Sequence, residues 1–370
     1  MAKEGDLVVA IEASQGCVTR VDARREKARA VEKLLTGRPV REAAMLVRSA
    51  FDSCGLSHGV AAHMAVEAAR GELRASRHEI RERRIIGETL RHHGWRLFVD
   101  IPRLSGIEVA TDVSAREREA LEAFLHPGEG DVVIAAQTLL DWSQRVVLGC
   151  APAKFLEMAT LDDLRRWMRA GKTPGATYFG RIVAEEPTLG ANDVELLPAA
   201  DEALIAALAA RVEGEEGFRS QPHVGGQARE TGPLSRQATH PLVVAAIREW
   251  GKGFGARAVA RLVEMASLFA SLIDVGGPRH GALAFGPGHA AGWAEVGNGL
   301  AIHCVRLDGE HIASYRALVP ADWNFGTHGP FVHGASAITG QDAAAIDHRV
   351  RRLVASLDPG VGLRLKRGDA

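Results

Sequence analysis

Residues 295–324 read EVGNGLAIHCVRLDGEHIASYRALVPADWN. Two apolar runs, Leu300 to Leu307 and His311 to Val319, flank Asp308-Gly309-Glu310. A DG step between such runs predicts a β-hairpin, because glycine accepts the positive φ that a tight turn demands. Pro320 ends the second run, and Trp323-Asn324 reads as a turn just after a strand.

Outward from this hairpin the pattern changes to helical periodicity. Ala28, Val31, Leu34 and Leu35 predict an amphipathic helix over 24–36 with Gly37 as its C-cap. Further helices are expected at 41–52, 56–74, 78–98, 131–149, 161–170 with Thr160 as N-cap, 201–212, 255–274 and 341–357. At the other end of the chain, residues 7–13 and 17–22 flank Ser14-Gln15-Gly16 and predict a second hairpin. The class expected is α+β, mainly α, with an N-terminal and a C-terminal β-hairpin around a helical core. Residues 213–236 are acidic, then glycine-rich and polar, and read as a long internal loop within a single domain spanning 1–370.

Composition narrows the function. The 370 residues carry 45 Lys+Arg against 46 Asp+Glu, a net charge of −1, so no basic footprint for nucleic acid or an anionic membrane is present. No run approaches the ~18–20 apolar residues of a membrane span. Cys17, Cys54, Cys150 and Cys304 stand far apart with no CxxC, which excludes zinc ribbons and dithiol redox motifs. Reduced thiols in a cytoplasm are expected, and the polar N-terminus has no apolar signal core.

Several short motifs dissolve on inspection. Gly276-Gly277-Pro278 with Phe285-Gly286-Pro287-Gly288 lacks the strand–glycine–helix context of a dinucleotide site and reads as a loop. Gly171-Lys172-Thr173 has the tail of a P-loop but Arg166 in place of its leading glycine. Gly55-Leu56-Ser57-His58-Gly59 matches GxSxG without the preceding strand of a nucleophile elbow. Cys54 and His58 would share a helix face at i, i+4, with His63 opposite; a thiolate with open positions could hold a metal fragment that brings its own ligands. Taken singly, Glu32 reads as a solvated helix charge, and His92-His93 as packing and surface.

In order, these pieces resemble the large subunit of nickel–iron hydrogenases. The resemblance rests on Arg29-x-x-Glu32 with Gly37-Arg38 and Arg41-Glu42-Ala43, then Cys54-Gly55-Leu56-Ser57, then Glu230-Thr231-Gly232-Pro233-Leu234. It continues in Glu295 to His303, in Val319-Pro320-Ala321-Asp322-Trp323-Asn324, and in Asp358-Pro359, like the start of the family's terminal Asp-Pro-Cys-x-x-Cys-x-x-His.

The departures carry the functional expectation. The resemblance implies four cysteine ligands. Here Cys54 is kept, Ser57 replaces the second, Gly360 and Leu363 replace the last pair, and Lys366 replaces the terminal histidine. Asn298 replaces an arginine over the diatomic ligands, and Ala321 a hydroxyl that bonds a cyanide. One thiolate cannot bridge nickel and iron, so no enzyme and no stable nickel are expected. The chain is most similar to the accessory proteins of the HupK/HoxV type. The resemblance implies a non-catalytic scaffold or carrier for a transient Fe(CN)2(CO) fragment. Cys54 is its expected metal anchor, with Glu32, Ser57, His58, His303 and Asn298 around the pocket and Cys304 as a further sulfur. Expected partners are hydrogenase maturation chaperones and the large subunit itself. The alternatives are a metal-free mimic of the large subunit that holds chaperones, and a relative of the quinone-site subunit of respiratory complex I.

Overall fold

A computed structural model describes residues 5–26, 29–108, 115–126, 131–273 and 279–367. Leu7–Ser14 (β1) and Cys17–Arg25 (β2) form the N-terminal hairpin. Gln15 and Gly16, both at positive φ, make its turn. The second strand runs to Arg25, longer than its β-branched core suggests. The helix expected over 24–36 therefore shortens to Ala30–Leu35 (α1); Ala28, one of its expected apolar positions, lies outside the described residues.

Four helices lead to the centre of the molecule: α1, Ala43–Ala50 (α2), Gly55–Ala69 (α3) and His78–Trp95 (α4). α4 passes through a π-turn at Arg96–Asp100. The long apolar helix expected at 255–274 is Phe254–Ala270 (α5), and nearly all of it is buried. The Val132–Trp142, Pro241–Trp250 and Pro152–Leu156 helices pack around it. The final helix is Ala343–Leu357 (α6), capped by Asp342 Oδ1 accepting from Ala345 N.

Helices at Ala115–Leu125, Pro174–Ala184, Pro241–Trp250, Pro320–Asn324 and Pro330–Ser336 go beyond the sequence expectation. Four of these five begin with proline. Its fixed φ suits the first helical turn, and its missing N–H costs nothing there. Gly171-Lys172-Thr173 also resolves into helix punctuation. Gly171 closes Leu161–Ala170 in the left-handed region, and Thr173 caps the next helix by accepting from Ala176 N.

The C-terminal hairpin is half of a four-stranded antiparallel meander: His280–Gly286 (β3), His289–Val296 (β4), Gly299–Asp308 (β5) and His311–Leu318 (β6). The glycine-rich stretch read as a loop is corrected here. Its 285–288 part forms the end of β3 and the β3–β4 turn, where Gly286 and Gly288 supply positive φ. Gly276-Gly277-Pro278 lies outside the described residues. α3 covers one face of this sheet so closely that a Cβ at Gly292 would stand 2.1 Å from Ala61 O. The alanines of α3 make that approach possible. The Glu202–Gly214 helix packs on the other face, with Ile205 and Leu208 beside Trp293 and Ile302.

The N-terminal hairpin gains a third strand. Leu363–Arg367 (β7) pairs in parallel with β1, Leu7 opposite Leu363 and Ile11 opposite Arg367. Leu363 and Leu365 turn toward the core that β1 and α6 share. Residues 213–236 hold the end of the 202–214 helix, a short strand pairing at Arg229–Glu230 and the Pro233–Arg236 helix. Among the described residues, no helix is long and apolar enough to cross a membrane.

Candidate functional site

Cys54 is not on a helix face. It is the N-cap of α3, in the left-handed region at φ 58°, and it is 3% exposed. The helix start behind it is satisfied by a buried carboxylate from α4. Glu88 accepts from Leu56 N (2.9 Å), Ser57 N (2.7 Å) and Ser57 Oγ (2.6 Å). The first N–H groups of a helix have no internal partner, and an anion there also meets the positive end of the helix dipole. The Ser57 hydroxyl proton is thus committed to Glu88.

His92 and a turn after α6 stand against Cys54. A Cβ at Gly297 would lie 3.1 Å from Cys54 Sγ and 2.8 Å from His92 Cδ2, so the glycine lets sulfur and imidazole close on the β4–β5 turn. Ser53 Oγ is 3.6 Å from Cys54 Sγ and 2.9 Å from His92 Nδ1. His92 Nε2 lies 2.5 Å from Asp358 Oδ2. Arg96 donates to the same carboxylate through Nε (2.9 Å) and Nη2 (2.8 Å), and Arg261 Nη2 stands 3.8 Å away. Burial opposes charge on Asp358, but Arg96 and His92 hold its carboxyl well below the usual range. Burial likewise opposes charge on His92, but Asp358 and Cys54 raise it to about 10. With His92 protonated, Nδ1–H donates to Ser53 Oγ and leaves the serine hydroxyl free to donate to Cys54 Sγ.

Asn298 packs on the same turn. Its Nδ2 donates to Asp358 O (3.1 Å), while its buried Oδ1 has no partner among the described residues. Gly360 lies beside the same groups, since a Cβ there would sit 2.9 Å from Asn298 Nδ2 and 3.8 Å from Ser53 Cβ. Leu363 and Lys366, where the resemblance implies a cysteine and a histidine, are built into β7. Asn324, just upstream of these elements, donates to Thr231 O (2.9 Å) and Leu357 O (3.2 Å), so it ties the Glu230-Thr231 segment to the end of α6.

His58 and His303 meet directly. His58 Nδ1 and His303 Nε2 are 3.0 Å apart, and His303 Nδ1 is 2.9 Å from the Tyr315 hydroxyl. Phe51 stacks on His58 at 3.8 Å between centroids. Burial keeps both imidazoles neutral, with His303 lowered to about 3. One proton therefore lies between two neutral rings, and the row can pass a proton by switching tautomers.

Glu32 is buried, not solvated. It pairs with Arg219, accepts from Ala317 N at 3.2 Å and has Arg316 Nη1 at 3.8 Å. Among the described residues none of these partners of Glu32 also bonds Cys54, Ser57 or Asn298. Cys304 alternates away from His303 into the cluster of Trp293 and Trp323, where burial pushes its thiol up. Cys17 is exposed and Cys150 half-buried.

His92 and His93 need correction, since both are tied into networks, His92 half-buried with Asp358 and His93 fully buried with Glu264 at 2.7 Å. Glu88 and His92 on α4 and Arg96 at the start of its π-turn stand at successive four-residue intervals. That charged row was a readable signal for one functional face.

The chain is 32% identical over 356 residues, 91% of its length and 90% of the relative's, to the hydrogenase expression/formation protein HoxV of Cupriavidus necator. It belongs to the hydrogenase expression/formation proteins of the HoxV/HupK family. HupK of Rhizobium leguminosarum bv. viciae is 26% identical, covering 99% of this chain and 97% of its own. No protein-family model matches the chain. Among solved structures, a NAD+-reducing [NiFe]-hydrogenase superposes with a TM-score of 0.58 at 16% identity, over 95% of this chain and 94% of its own. The Ni-Fe-Se hydrogenase of D. vulgaris Hildenborough gives 0.53 at 15%, over 95% and 97%. The fold of this HoxV/HupK family member is therefore that of the hydrogenase large subunit, α+β and mainly α.

Proposed function

We propose that this HoxV/HupK family member is a non-catalytic scaffold that holds the Fe(CN)2(CO) fragment on Cys54 during hydrogenase maturation and then releases it. The observation that carries this reading is the setting of Cys54. A single buried thiol faces His92 and Ser53, backed by Asp358, Arg96 and Arg261. Three cationic side chains around one carboxylate suit an anionic cargo, and Arg261 Nε and Nη1 are buried donors without partners among the described residues. A thiolate anchors iron, but one thiolate holds it less firmly than four, which favours release. Asn298 Oδ1 and the His58–His303 row complete the polar lining on this reading, with Ser57, hydrogen-bonded to Glu88, and Glu32, ion-paired with Arg219, supporting from their own positions. The partners are maturation chaperones and the hydrogenase large subunit, and the compartment is the cytoplasm.

Infrared spectroscopy of protein purified without oxygen from cells expressing the maturation factors tests this. Cyanide and carbon monoxide bands that vanish in Cys54→Ala are the expected result. Absence of bands from protein that still captures maturation partners would sink the carrier reading. It would favour the metal-free mimic, which the commitment of Ser57 to Glu88 and the donor-free side chains at 360 and 363 also favour.

A further inference from the structure

A second cluster lies at the far end of α4. His78, its first residue, and Glu82 share a face at i, i+4, and His280 begins β3 opposite them. One ligand atom from each lies within 4.8 Å of the others. His280 Nε2 stands 3.6 Å from Glu82 Oε1. Four positions of α4 separate Glu82 from His78, and ten separate it from His92, about 15 Å along a helix. The cluster is thus apart from Cys54 and independent of the carrier reading.

The polar accounting here does not close. Glu82 and His280 are buried. Glu82 Oε1 accepts from Arg279 N at 2.5 Å, but Glu82 Oε2 has no hydrogen bond among the described residues. Both nitrogens of His280 are buried without a well-formed hydrogen bond among the described residues, although the His78 backbone and Glu82 Oε1 stand close by. Arg279 Nη1 is 3.6 Å from Glu82 Oε2, too long to satisfy it, and that side chain is 22% exposed. Leaving a carboxylate oxygen and a whole imidazole unpaired in the interior costs kilocalories.

We propose that His78, Glu82 and His280 bind a first-row divalent transition metal of the zinc type. Two imidazole nitrogens and one carboxylate oxygen are the donor set of such ions, whereas magnesium and calcium prefer oxygen alone. Donors on a tetrahedral metal stand about 3.4 Å apart, near the His280–Glu82 separation already present. The exposed His78 closes the remaining distance by rotation and leaves a fourth position open to water. Arg279 turns to solvent as the metal takes over the Glu82 charge. The bound ion would pin the start of α4 to the start of the meander.

The test uses the full chain, stripped with chelator and titrated with zinc by calorimetry and thermal denaturation. The wild type should take up one equivalent with a raised Tm, and Cys54→Ala should behave the same. His78→Ala, at an exposed position that spares the fold, should bind at least about tenfold more weakly, since even the loss of a supporting second-layer group costs that much. Glu82→Gln should do likewise. Equal zinc binding by His78→Ala and wild type, no zinc binding by the wild type, or an equal Tm gain from magnesium would each overturn the proposal.

Discussion

His92 on α4 and Asp358 after α6 are 266 residues apart in the chain, and their side chains meet at 2.5 Å directly behind Cys54. Asp358 is fully buried and sits at φ 60°, so the turn that presents it is itself held in place by these contacts. The pair ties α4 to the turn after α6 beside Cys54.

Asp358→Asn should destabilise the protein by about 3–5 kcal/mol, because it leaves the largely buried His92 and the buried Arg261 without their anion, while Arg96 keeps Asp100. Urea denaturation measures this. A loss below about 1 kcal/mol would mean that the network contributes little.

The same pair gives stability a pH dependence. The folded pKa of His92, about 10, lies above its unfolded value of about 6.5. Its contribution is therefore complete below pH ~6.5 and declines as pH rises toward about 10. Denaturant midpoints of the wild type should fall across that window, and His92→Gln should flatten the slope. An unchanged slope would refute the assignment.

The His58–His303 row behaves in the opposite sense. His303 is lowered to about 3, so it contributes fully above pH ~6.5 and loses that contribution as pH falls below it. Nitrogen-15 spectra of the imidazoles should show His303 neutral at pH 5. A charged His303 there would mean that the ring is far more solvated than its burial implies.

Gly292→Ala should cost on the order of 1–3 kcal/mol through overpacking, since the new methyl meets the α3 backbone at Ala61 and Ala65. Gly214, with open space around its Cβ position, should accept alanine with little change. Comparing the two by thermal denaturation separates strand–helix contact from a general glycine effect.

Glu230 and Arg257 form a buried bidentate pair, Oε1–Nε and Oε2–Nη2 both at 2.8 Å. Glu230→Gln should destabilise by about 3–5 kcal/mol, while Glu230→Leu with Arg257→Met should recover most of that loss because no lone charge remains inside. Chemical denaturation of the two variants gives the comparison.

Much of the architecture could be read locally. The DG step at 308–309 and the turn at Gln15-Gly16 each specify a hairpin through backbone sterics alone. The apolar run of α5 announces a buried helix, and Thr160 caps its helix as expected, with Asp163 completing a capping box. Helices that begin with proline were missed because a breaker and a first-turn residue look alike without knowing which side the helix lies on. Glycines 286 and 288 read as loop for a related reason: a tight turn inside a sheet and an irregular segment share composition.

By itself the sequence determined the two hairpins and most of the helices, and the resemblance it carries implies thiols at four positions of which only Cys54 has one, because turn chemistry, helical periodicity and side-chain type are local properties. Only the tertiary structure decided that Ser57 donates to Glu88, that Glu32 is bound by Arg219, and that His92 and not His58 faces the sulfur. It alone placed Leu363–Arg367 beside β1 and brought His280 to His78 and Glu82. Those outcomes turn on which buried polar groups find partners across the fold, and that depends on contacts between residues far apart in the chain.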